Sequence, residues 1–387
     1  MFMTCRKRKT IIQQSTTMSK DLKMTKKETE PTKIQLSVLD IEKKYIIDPE
    51  EYVYGGSKMV TWGADNQLPV LYRNCYNGSA TLKSIIDGTI NYILGDEVIV
   101  NDSAAYWREK VNRSGMTMRQ FIAKLGFNLL VYGGFAVQVI YNKLGQVVEL
   151  FPLEFGRCRT NETGDKVWYS KKWTKYQAKA EEFDVFDPNH VDMEHPTQIF
   201  YYKGDVTSSV YPLPPYAGAI YDVLTEIECA KYSLNTVAKG FSAKYLFNFP
   251  NPGNLTDEQK QGVETAIKNK FCGSENEVNF MLYWMEDDKQ PIEVSKIESD
   301  ETPERYIAIK DNARQNIFIS LRCTPVLFGL PNAANGFSTN EYRDSYKLFL
   351  KSVVAPMQDI IIESFSKITG TEDGVTIVPF EIQFDEQ

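Results

Sequence analysis

Two places in the sequence hold side chains that could move a proton or bind a metal. The first is a short segment in which the only two histidines, His190 and His195, flank Asp192 and Glu194. Acid–base catalysis and metal binding need such groups gathered at close range. The composition of this segment is more typical of a polar loop, so we expect neither role for it.

The second place is an acidic cluster within residues 286–301, formed by Asp287-Asp288 and by Glu298, Asp300 and Glu301. These carboxylates could pair around a divalent ion, as in metal-dependent enzymes that process nucleic acids. Acidic residues at a turn and at a helix start are more often solvated. The phosphate-binding loop, the dinucleotide fingerprint, the G-x-S-x-G elbow and the H-E-x-x-H motif do not occur. We therefore expect no enzyme activity, no metal and no cofactor.

Two cations, Lys310 and Arg314, stand four residues apart and so share one face of a predicted helix. That face could meet a polyanion, or it could lie in solvent with pairing to Asp311 or Glu304. The sequence leaves both interpretations open. An aromatic run from Phe241 to Phe249 alternates as a strand would, and packing or subunit contact explains it better than base stacking.

The charge of the chain is unevenly distributed. Its formal net charge is −7, but residues 1–33 hold nine Lys or Arg against three Asp or Glu. Residues 34–387 therefore hold 35 against 48, a net charge of −13. Domains that bind nucleic acid by neutralising phosphates are usually basic. The composition argues against a tight DNA or RNA binder with a broad cationic face, but not against contact with DNA.

The cysteines and the apolar segments indicate a compartment. The six cysteines lie far apart, with no C-x-x-C pair, which favours a reducing environment. No apolar stretch reaches the roughly 18 residues that a membrane-spanning helix requires, so no membrane contact is expected. Residues 1–35 lack the apolar core of a secretory signal, and we expect a flexible basic arm there.

The elements that would position these residues begin with an α+β segment. Apolar spacing predicts helices over residues 81–95 and 117–132, the second of which feeds a hairpin made of FAVQVIYN and VVELFPLEF. Further strands are predicted at 166–169, 182–186 and 198–202. The proline-rich segment after Tyr211 marks the first domain boundary.

Two long helices follow this boundary, and they are separated by a small insert. The first is predicted over 217–241 and the second from Pro303, with Ile309, Ala313, Ile317 and Leu321 on one face. Between them, Thr256 to Gln259 forms a capping box that opens a helix. Residues 278–284 and 292–297 are then predicted to form a hairpin.

The last part of the chain is a loop, a long helix and a strand. The loop GLPNAANGFST covers residues 329–339, and the helix after it runs to about Lys367. Pro356 lies inside that helix, where it removes a backbone hydrogen bond and crowds the preceding turn. We expect the helix to be kinked just before Pro356, and we expect a final strand over 375–384.

The order of these elements resembles the portal (connector) proteins of tailed double-stranded DNA bacteriophages. The resemblance rests on YPLPPYAGAIYDVLTEIECAKYSLNTVAKGFSAKYLF, on LTDEQKQGVETAIKNKFCGSENEVNFMLYWMEDD and on RQNIFISLRCTPVLFGLPNAANGFSTNEYRDSYKLFLKSVVAPMQDIIIESF. It extends over about 60–384. The most specific pattern is R-x-x-I-x-x-x-L-x-x-x-P followed by a glycine-containing loop.

The resemblance implies an α+β portal-like protomer. Its segments would be a wing (36–215), a first stem helix (216–241), a clip (242–300), a second stem helix (301–325), a tunnel loop (326–340), and a kinked helix with a final wing strand (341–387). The crown found in many relatives would be short or absent. The tunnel loop would present Asn332, Asn335, Gly336, Phe337, Ser338 and Asn340 to DNA, with Lys310 and Arg314 as candidate channel-facing cations.

The resemblance also implies an assembly and partners. Copies of the chain would form a ring, usually a dodecamer, at one capsid vertex and in contact with the major capsid protein. The terminase large subunit would drive double-stranded DNA through the ring, and head–tail connector proteins would later replace it. The protein would belong to the virion and pass through the host cytoplasm during assembly. A generic oligomeric scaffold and the metal-dependent enzyme are the alternatives.

Overall fold

Helices and strands alternate along the part of the chain that the computed structural model describes, which comprises residues 59–173, 179–204, 210–238, 244–250, 256–271, 280–285, 293–297, 303–330 and 339–380. These residues belong to one compact unit, Ile46–Gln387. The predicted basic arm, residues 1–35, lies outside the described residues.

Two helices open the fold and meet at Ser79. Helix α1 is Leu68–Gly78 and helix α2 is Ala80–Leu94. The Ser79 hydroxyl caps α2 by accepting a hydrogen bond from the backbone N–H of Leu82 at 3.0 Å. Gly95 ends α2 with a φ of 55°, a conformation that favours glycine. The helix predicted over 81–95 is confirmed.

The next unit is a helix followed by a hairpin. Helix α3, Met118–Tyr132, begins with a complete capping box between Thr117 and Gln120 and ends at Gly133, whose φ is 84°. Strand β2 is Gly134–Tyr141 and strand β3 is Val147–Leu153, and they pair antiparallel. An earlier short strand, β1, is Glu97–Val100. The predicted helix and hairpin are both confirmed.

This hairpin forms one end of a six-stranded sheet. The other strands are β4 (Cys158–Thr160), β5 (Lys166–Tyr169), β6 (Glu181–Val185) and β7 (Thr197–Lys203). The order is β3-β2-β7-β6-β5-β4, and the β6–β7 pair is the parallel one among antiparallel neighbours. The strands predicted at 166–169, 182–186 and 198–202 are confirmed.

An aromatic cluster and a buried guanidinium fasten the edge of this sheet. The rings of Trp62 and Tyr211 stack at 4.5 Å between centroids. Arg159 is 1% exposed and donates to the carbonyls of Gly156 and Cys158 and to both oxygens of Asn66. Burial lowers the pKa of this guanidinium to about 10, so it stays protonated at neutral pH. Donation to four oxygens compensates for its lost hydration.

Two long helices pack against each other after the proline-rich segment. Helix α4 is Ile220–Ala238, preceded by a short 3-10 turn, and helix α6 is Pro303–Ser320. Their contact includes Asn316 Nδ2 donating to Asp222 Oδ1 at 2.8 Å and the stacked rings of Tyr232 and Tyr306 at 4.4 Å. The first helix was predicted to reach residue 241, and residues 239–243 lie outside the described ones.

The insert between these helices has a different topology from the predicted one. It contains β8 (Lys244–Pro250), α5 (Asp257–Phe271), β9 (Phe280–Met285) and β10 (Glu293–Ile297). The sheet order is β10-β8-β9, with β8 parallel to β9 and antiparallel to β10. The predicted hairpin of residues 278–284 and 292–297 is therefore wrong, because β8 lies between the two strands. The predicted capping box at Thr256 and Gln259 is present.

The chain then follows a long interrupted helix to a strand. Helix α7 is Thr339–Phe349, a π-helical turn covers Leu350–Val354, and helix α8 is Ala355–Thr369. Strand β11, Val375–Val378, pairs antiparallel with β1. The described elements form an α+β fold, as predicted.

Candidate functional site

The loop between α6 and α7 is the segment in which the sequence places most of its candidate site residues. Five of them, Asn332, Asn335, Gly336, Phe337 and Ser338, lie outside the described residues. Asn340 is described and exposed in the first turn of α7, where its Oδ1 accepts from Arg343 Nη2 at 3.1 Å. The structure thus describes the two ends of this loop, residues 324–330 and 339–346.

The first end of the loop is a tight turn that packs on α2. A 3-10 helix, Pro325–Phe328, stops at Gly329, whose φ is 80°. The Phe328 ring lies so close to Gly88 of α2 that a Cβ at Gly88 would be 2.6 Å from the ring. Only glycine permits this approach, so Gly88 allows the turn at Phe328 to pack directly against α2.

Tyr92, one turn further along α2, contacts both ends of the loop. Its hydroxyl donates to the backbone carbonyl of Leu327 at 3.1 Å and lies 3.3 Å from the hydroxyl of Tyr342 on α7. Its ring meets Phe328 edge-on at 6.2 Å and Tyr346 at 5.5 Å between centroids. Burial, and then the hydrogen bond to Tyr342, holds the pKa of Tyr92 well above its usual range. Tyr92 therefore links the two ends of the loop as a neutral phenol.

The sequence did not single out Tyr92, because its partners lie more than 200 residues away. The available signal was one aromatic residue in the last turn of a helix whose other large apolar residues are aliphatic. Such a side chain usually packs against another element, but nothing local says which one.

The two candidate cations border a cleft of about 280 Å³ beside the first end of the loop. Lys310 is exposed and Arg314 is one-third exposed, and Arg314 Nη1 lies 3.4 Å from Asp311 Oδ1. Phe328 and Leu330, at the first end of the loop, also line the cleft. The loop therefore begins at the wall of the cleft. One of the two interpretations, pairing of Arg314 with Asp311, is present in this chain. An exposed pair of this kind contributes little to stability and does not prevent contact with a polyanion.

A buried carboxylate lies at the floor of this cleft. Glu226 of α4 is 4% exposed and accepts hydrogen bonds from Ser79 Oγ and, at 2.7 Å, from Thr81 Oγ1. Both hydroxyls belong to the start of α2, whose N-terminal dipole favours a negative charge. The nearby Gly78 approaches Ile227 so closely that a Cβ there would be 2.9 Å from Ile227 Cδ1. Glu226 therefore fastens α4 to the junction of α1 and α2.

Pro356 lies at the start of α8, directly after the π-helical turn Leu350–Val354. A π-helical turn is one of the known causes of a change in helix direction, as is an internal proline. The irregularity lies in the stretch where the sequence predicts the kink. Pro356 itself is exposed.

The groups that could support other chemistry are dispersed. His190 is exposed and its Nδ1 lies 2.7 Å from Asp187 Oδ2 within one turn. The five acidic residues of the 286–301 cluster, Asp287, Asp288, Glu298, Asp300 and Glu301, lie outside the described residues. Within the described ranges, no group of three or more His, Cys, Asp or Glu side chains is placed to hold a metal ion.

Three cysteines, Cys75, Cys158 and Cys323, are buried as free thiols. Burial raises the pKa of each of them to about 12, which removes the thiolate needed for redox or nucleophilic chemistry. None of the described helices is both long and apolar enough to span a membrane.

Comparison with known proteins gives a family match. The model of the phage portal protein family matches residues 90–383. The matched range includes both long helices, the insert between them, the loop and the interrupted helix. No curated protein matches the chain.

Several solved structures share the fold. The virion of a native gene transfer agent particle has a chain that is 16% identical, with a TM-score of 0.51 over 81% of this chain and 83% of that one. The neck of an empty gene transfer agent particle, computed with C6 symmetry, has one that is 16% identical, with a TM-score of 0.52 over 81% and 84%. An HK97 family phage portal protein from Corynebacterium diphtheriae is 10% identical, with a TM-score of 0.50 over 76% and 88%.

Proposed function

The chain belongs to the phage portal protein family, and we propose that it assembles with copies of itself into a ring that surrounds the path of double-stranded DNA at one vertex of a phage capsid. The observation that carries this proposal is the family match over residues 90–383. Portal proteins are structural rather than enzymatic. Their subunits must hold a channel open, contact DNA weakly and bind other proteins at the two ends of the ring.

In the proposed ring each segment has a mechanical role. Helices α4 and α6 form the stem, and residues 242–300 form the clip. Residues 36–215 and 341–387 form the wing, and residues 326–340 form the tunnel loop. Support for the position of this loop comes from Tyr92, which links its two ends to α2.

The composition of the tunnel loop suits a sliding contact. DNA carries about two charges per base pair, and each contact that neutralises a phosphate releases counterions and slows movement. Residues 331–338 contain no Lys or Arg, and they offer the amides of Asn332 and Asn335 and the ring of Phe337. Lys310 and Arg314, which border the cleft from which Leu330 leads into the loop, supply the few cationic contacts. The ring acts as a passive channel and valve.

The proposed partners act at successive stages of DNA packaging. The terminase large subunit docks on the clip and hydrolyses ATP while DNA enters. Head–tail connector proteins take the same place after packaging. The wing contacts the major capsid protein, and the ring, a dodecamer, remains in the virion after assembly in the host cytoplasm.

Electron microscopy of the purified protein tests the ring. We expect closed rings with a central hole wide enough for a DNA duplex. A monomer that cleaves DNA in a metal-dependent manner would instead support the enzyme interpretation and would overturn the proposal.

Substitution in the loop tests the channel contact separately. In Asn335→Ala and Phe337→Ala variants we expect rings to form normally, with less DNA packaged or retained per particle. Asn189→Ala, at an exposed turn beside β6 and β7, is the matched control and should package normally. Loss of ring assembly in the loop variants would mean that the loop has been misassigned.

A further inference from the structure

A second cleft, of about 410 Å³, lies where the end of α3 meets the end of α6 and the start of α8. We call it the α8 cleft. Its described lining holds one charged side chain, that of Arg322, just after α6. The rest of the lining is mostly apolar and includes Leu129, Leu213, Pro214, Pro215, Met357 and Ile360. Such a cleft fits a segment that carries both an apolar side chain and a negative charge.

Arg322 has a backbone conformation that its position in a helix end usually gives to glycine. Its φ is 54°, in the left-handed region. The Cys323 N–H donates to the Phe318 carbonyl at 3.1 Å, which is the hydrogen bond of a helix that ends on a left-handed residue. The other described non-glycine residues with a positive φ are Asn66 and Asp373, whose short side chains tolerate it. An arginine is therefore present here at a conformational cost, which indicates a task for its side chain.

The guanidinium of Arg322 is exposed and has no carboxylate beside it in the described part of the chain. No acidic residue is among the described residues that line the α8 cleft. A carboxylate that entered the cleft would therefore meet an unpaired cation next to apolar walls. Water screens an ion pair less in such a place than on an open surface.

The segment that follows the described part of the chain has the matching chemistry. Residues 381–387, EIQFDEQ, lie outside the described residues. Phe384 is a large apolar group, and Glu386 stands two positions after it. In an extended segment, side chains two positions apart point to the same side. One side of this segment therefore offers an aromatic ring and a carboxylate.

The α8 cleft is within reach of this segment. The ring of Phe380, the last described residue, lies 6.4 Å from the ring of Tyr92 in the final turn of α2. In the same turn, the Ile93 carbonyl accepts from Gln358 Nε2 at 2.9 Å, and Gln358 adjoins Met357 in the wall of the cleft. Phe380 and this wall thus both lie at the end of α2. Seven extended residues span about 23 Å, which is more than the width of one helix, about 10 Å.

We propose that residues 381–387 bind in the α8 cleft of the same chain. The Phe384 ring packs against Met357 on α8. The Glu386 carboxylate pairs with Arg322, so the segment joins the end of α6 to the start of α8 across the loop and α7. All of these groups belong to one chain, so the inference goes beyond the proposed ring and does not depend on it.

Disulfide trapping in the full chain tests the contact. Phe384→Cys is combined with Ile360→Cys, in a background in which Cys5, Cys229 and Cys272 are serine. Mild oxidation should link the two positions within one chain, which gives a faster band on a non-reducing gel and a linked peptide pair in mass spectrometry. Phe384→Cys combined with Leu144→Cys is the control, since Leu144 is 83% exposed at the end of β2 that lies away from the cleft. It should give no such link.

Charge reversal tests the ion pair separately. In the cross-linking variant, Arg322→Glu should lower the initial rate of disulfide formation by about two- to fivefold at low salt, the range expected for a partly exposed ion pair. Addition of Glu386→Lys should restore the rate. Asp385→Lys in its place is the matched control and should not restore it, because Asp385 faces the other side of an extended segment. Circular dichroism should show the same helix content in all of these variants.

The remaining outcomes would each overturn the proposal. Equal linking in the two double-cysteine variants would mean that the segment collides with the surface at random. A ladder of linked chains without the faster band would mean that the segment binds a neighbouring subunit. No link in either variant would leave the α8 cleft to another ligand. An equal effect of Asp385→Lys and Glu386→Lys would mean that net charge, and not the pair with Arg322, controls the contact.

Discussion

At the scale of single residues, two glutamates of α4 that are two positions apart have opposite surroundings. Glu226 is buried and accepts hydrogen bonds from Ser79 and Thr81 at the start of α2, whereas Glu228 is 65% exposed and pairs with Lys231. The difference decides what each carboxylate does. Glu226 connects two helices, and Glu228 belongs to a solvent-facing stripe.

We expect Glu226→Ala to lower the free energy of unfolding by about 2–4 kcal/mol, since it leaves two buried hydroxyls without their acceptor and opens a cavity. Glu228→Ala is the matched control and should cost less than about 1 kcal/mol, as for other exposed ion pairs. Urea unfolding followed by circular dichroism measures both. Equal losses in the two variants would show that Glu226 does not connect the helices.

The same pair of residues shows where sequence reasoning stops. The apolar spacing of α4 predicted the helix, because hydrophobic periodicity is a local property. It gave no reason to separate Glu226 from Glu228. What distinguishes them is the distant start of α2, more than 140 residues earlier, and no local pattern encodes that contact.

At the scale of elements, Tyr92 holds the two ends of the loop between α6 and α7 through one side chain. Tyr92→Phe keeps the ring contacts and removes the hydrogen bonds to Leu327 and Tyr342. We expect a loss of about 0.5–1.5 kcal/mol in the free energy of unfolding. We also expect faster amide hydrogen exchange confined to residues 325–330 and 339–346.

The matched control for this variant is Tyr106→Phe. The Tyr106 hydroxyl also donates to a backbone carbonyl, that of Val148, at 3.0 Å, but Tyr106 is 65% exposed. Hydrogen exchange at the ends of the loop should be unchanged in this control. Unchanged exchange there in Tyr92→Phe would mean that the aromatic rings alone hold the loop.

Elements with strong local signals were predicted well, and pairings between distant strands were not. The capping box at Thr117 and the left-handed Gly133 set the bounds of α3, and the short turn near Gly145 joins β2 to β3. In contrast, β8 lies between β9 and β10, although β9 and β10 are closer together in the sequence. The aromatic alternation predicted β8 as a strand, but this pattern does not specify which strands pair with β8.

At the scale of the whole molecule, charge separates an acidic body from a basic start. Residues 34–387 carry a net charge of −13, and residues 1–33 carry +6. A channel that DNA must slide through benefits from walls that do not attract phosphates. In the proposed ring, the acidity would therefore limit contact with DNA to a few side chains.

We expect the full chain to bind linear duplex DNA weakly at low salt, with an affinity that falls as salt rises, and a chain of residues 34–387 to lose most of this binding. Each lost phosphate contact should reduce the slope of log affinity against log salt by about 0.9. Fluorescence anisotropy over a salt series measures this. A full-length variant with Lys20, Lys23, Lys26 and Lys27 replaced by glutamine controls for length. An unchanged slope in the shortened chain would mean that residues 1–33 do not bind linear DNA.

The strand pairing of the insert between the two long helices has a consequence for how such proteins diversify. Lys244 at the start of β8 lies directly opposite Ile297 at the end of β10, so the chain enters and leaves the insert at points about 5 Å apart. A segment whose two ends lie this close together can be exchanged as a unit. Another segment with the same end spacing can replace this one between α4 and α6. If residues 242–300 form the clip as proposed, docking specificity can evolve by replacement of one contiguous segment while α4 and α6 stay the same.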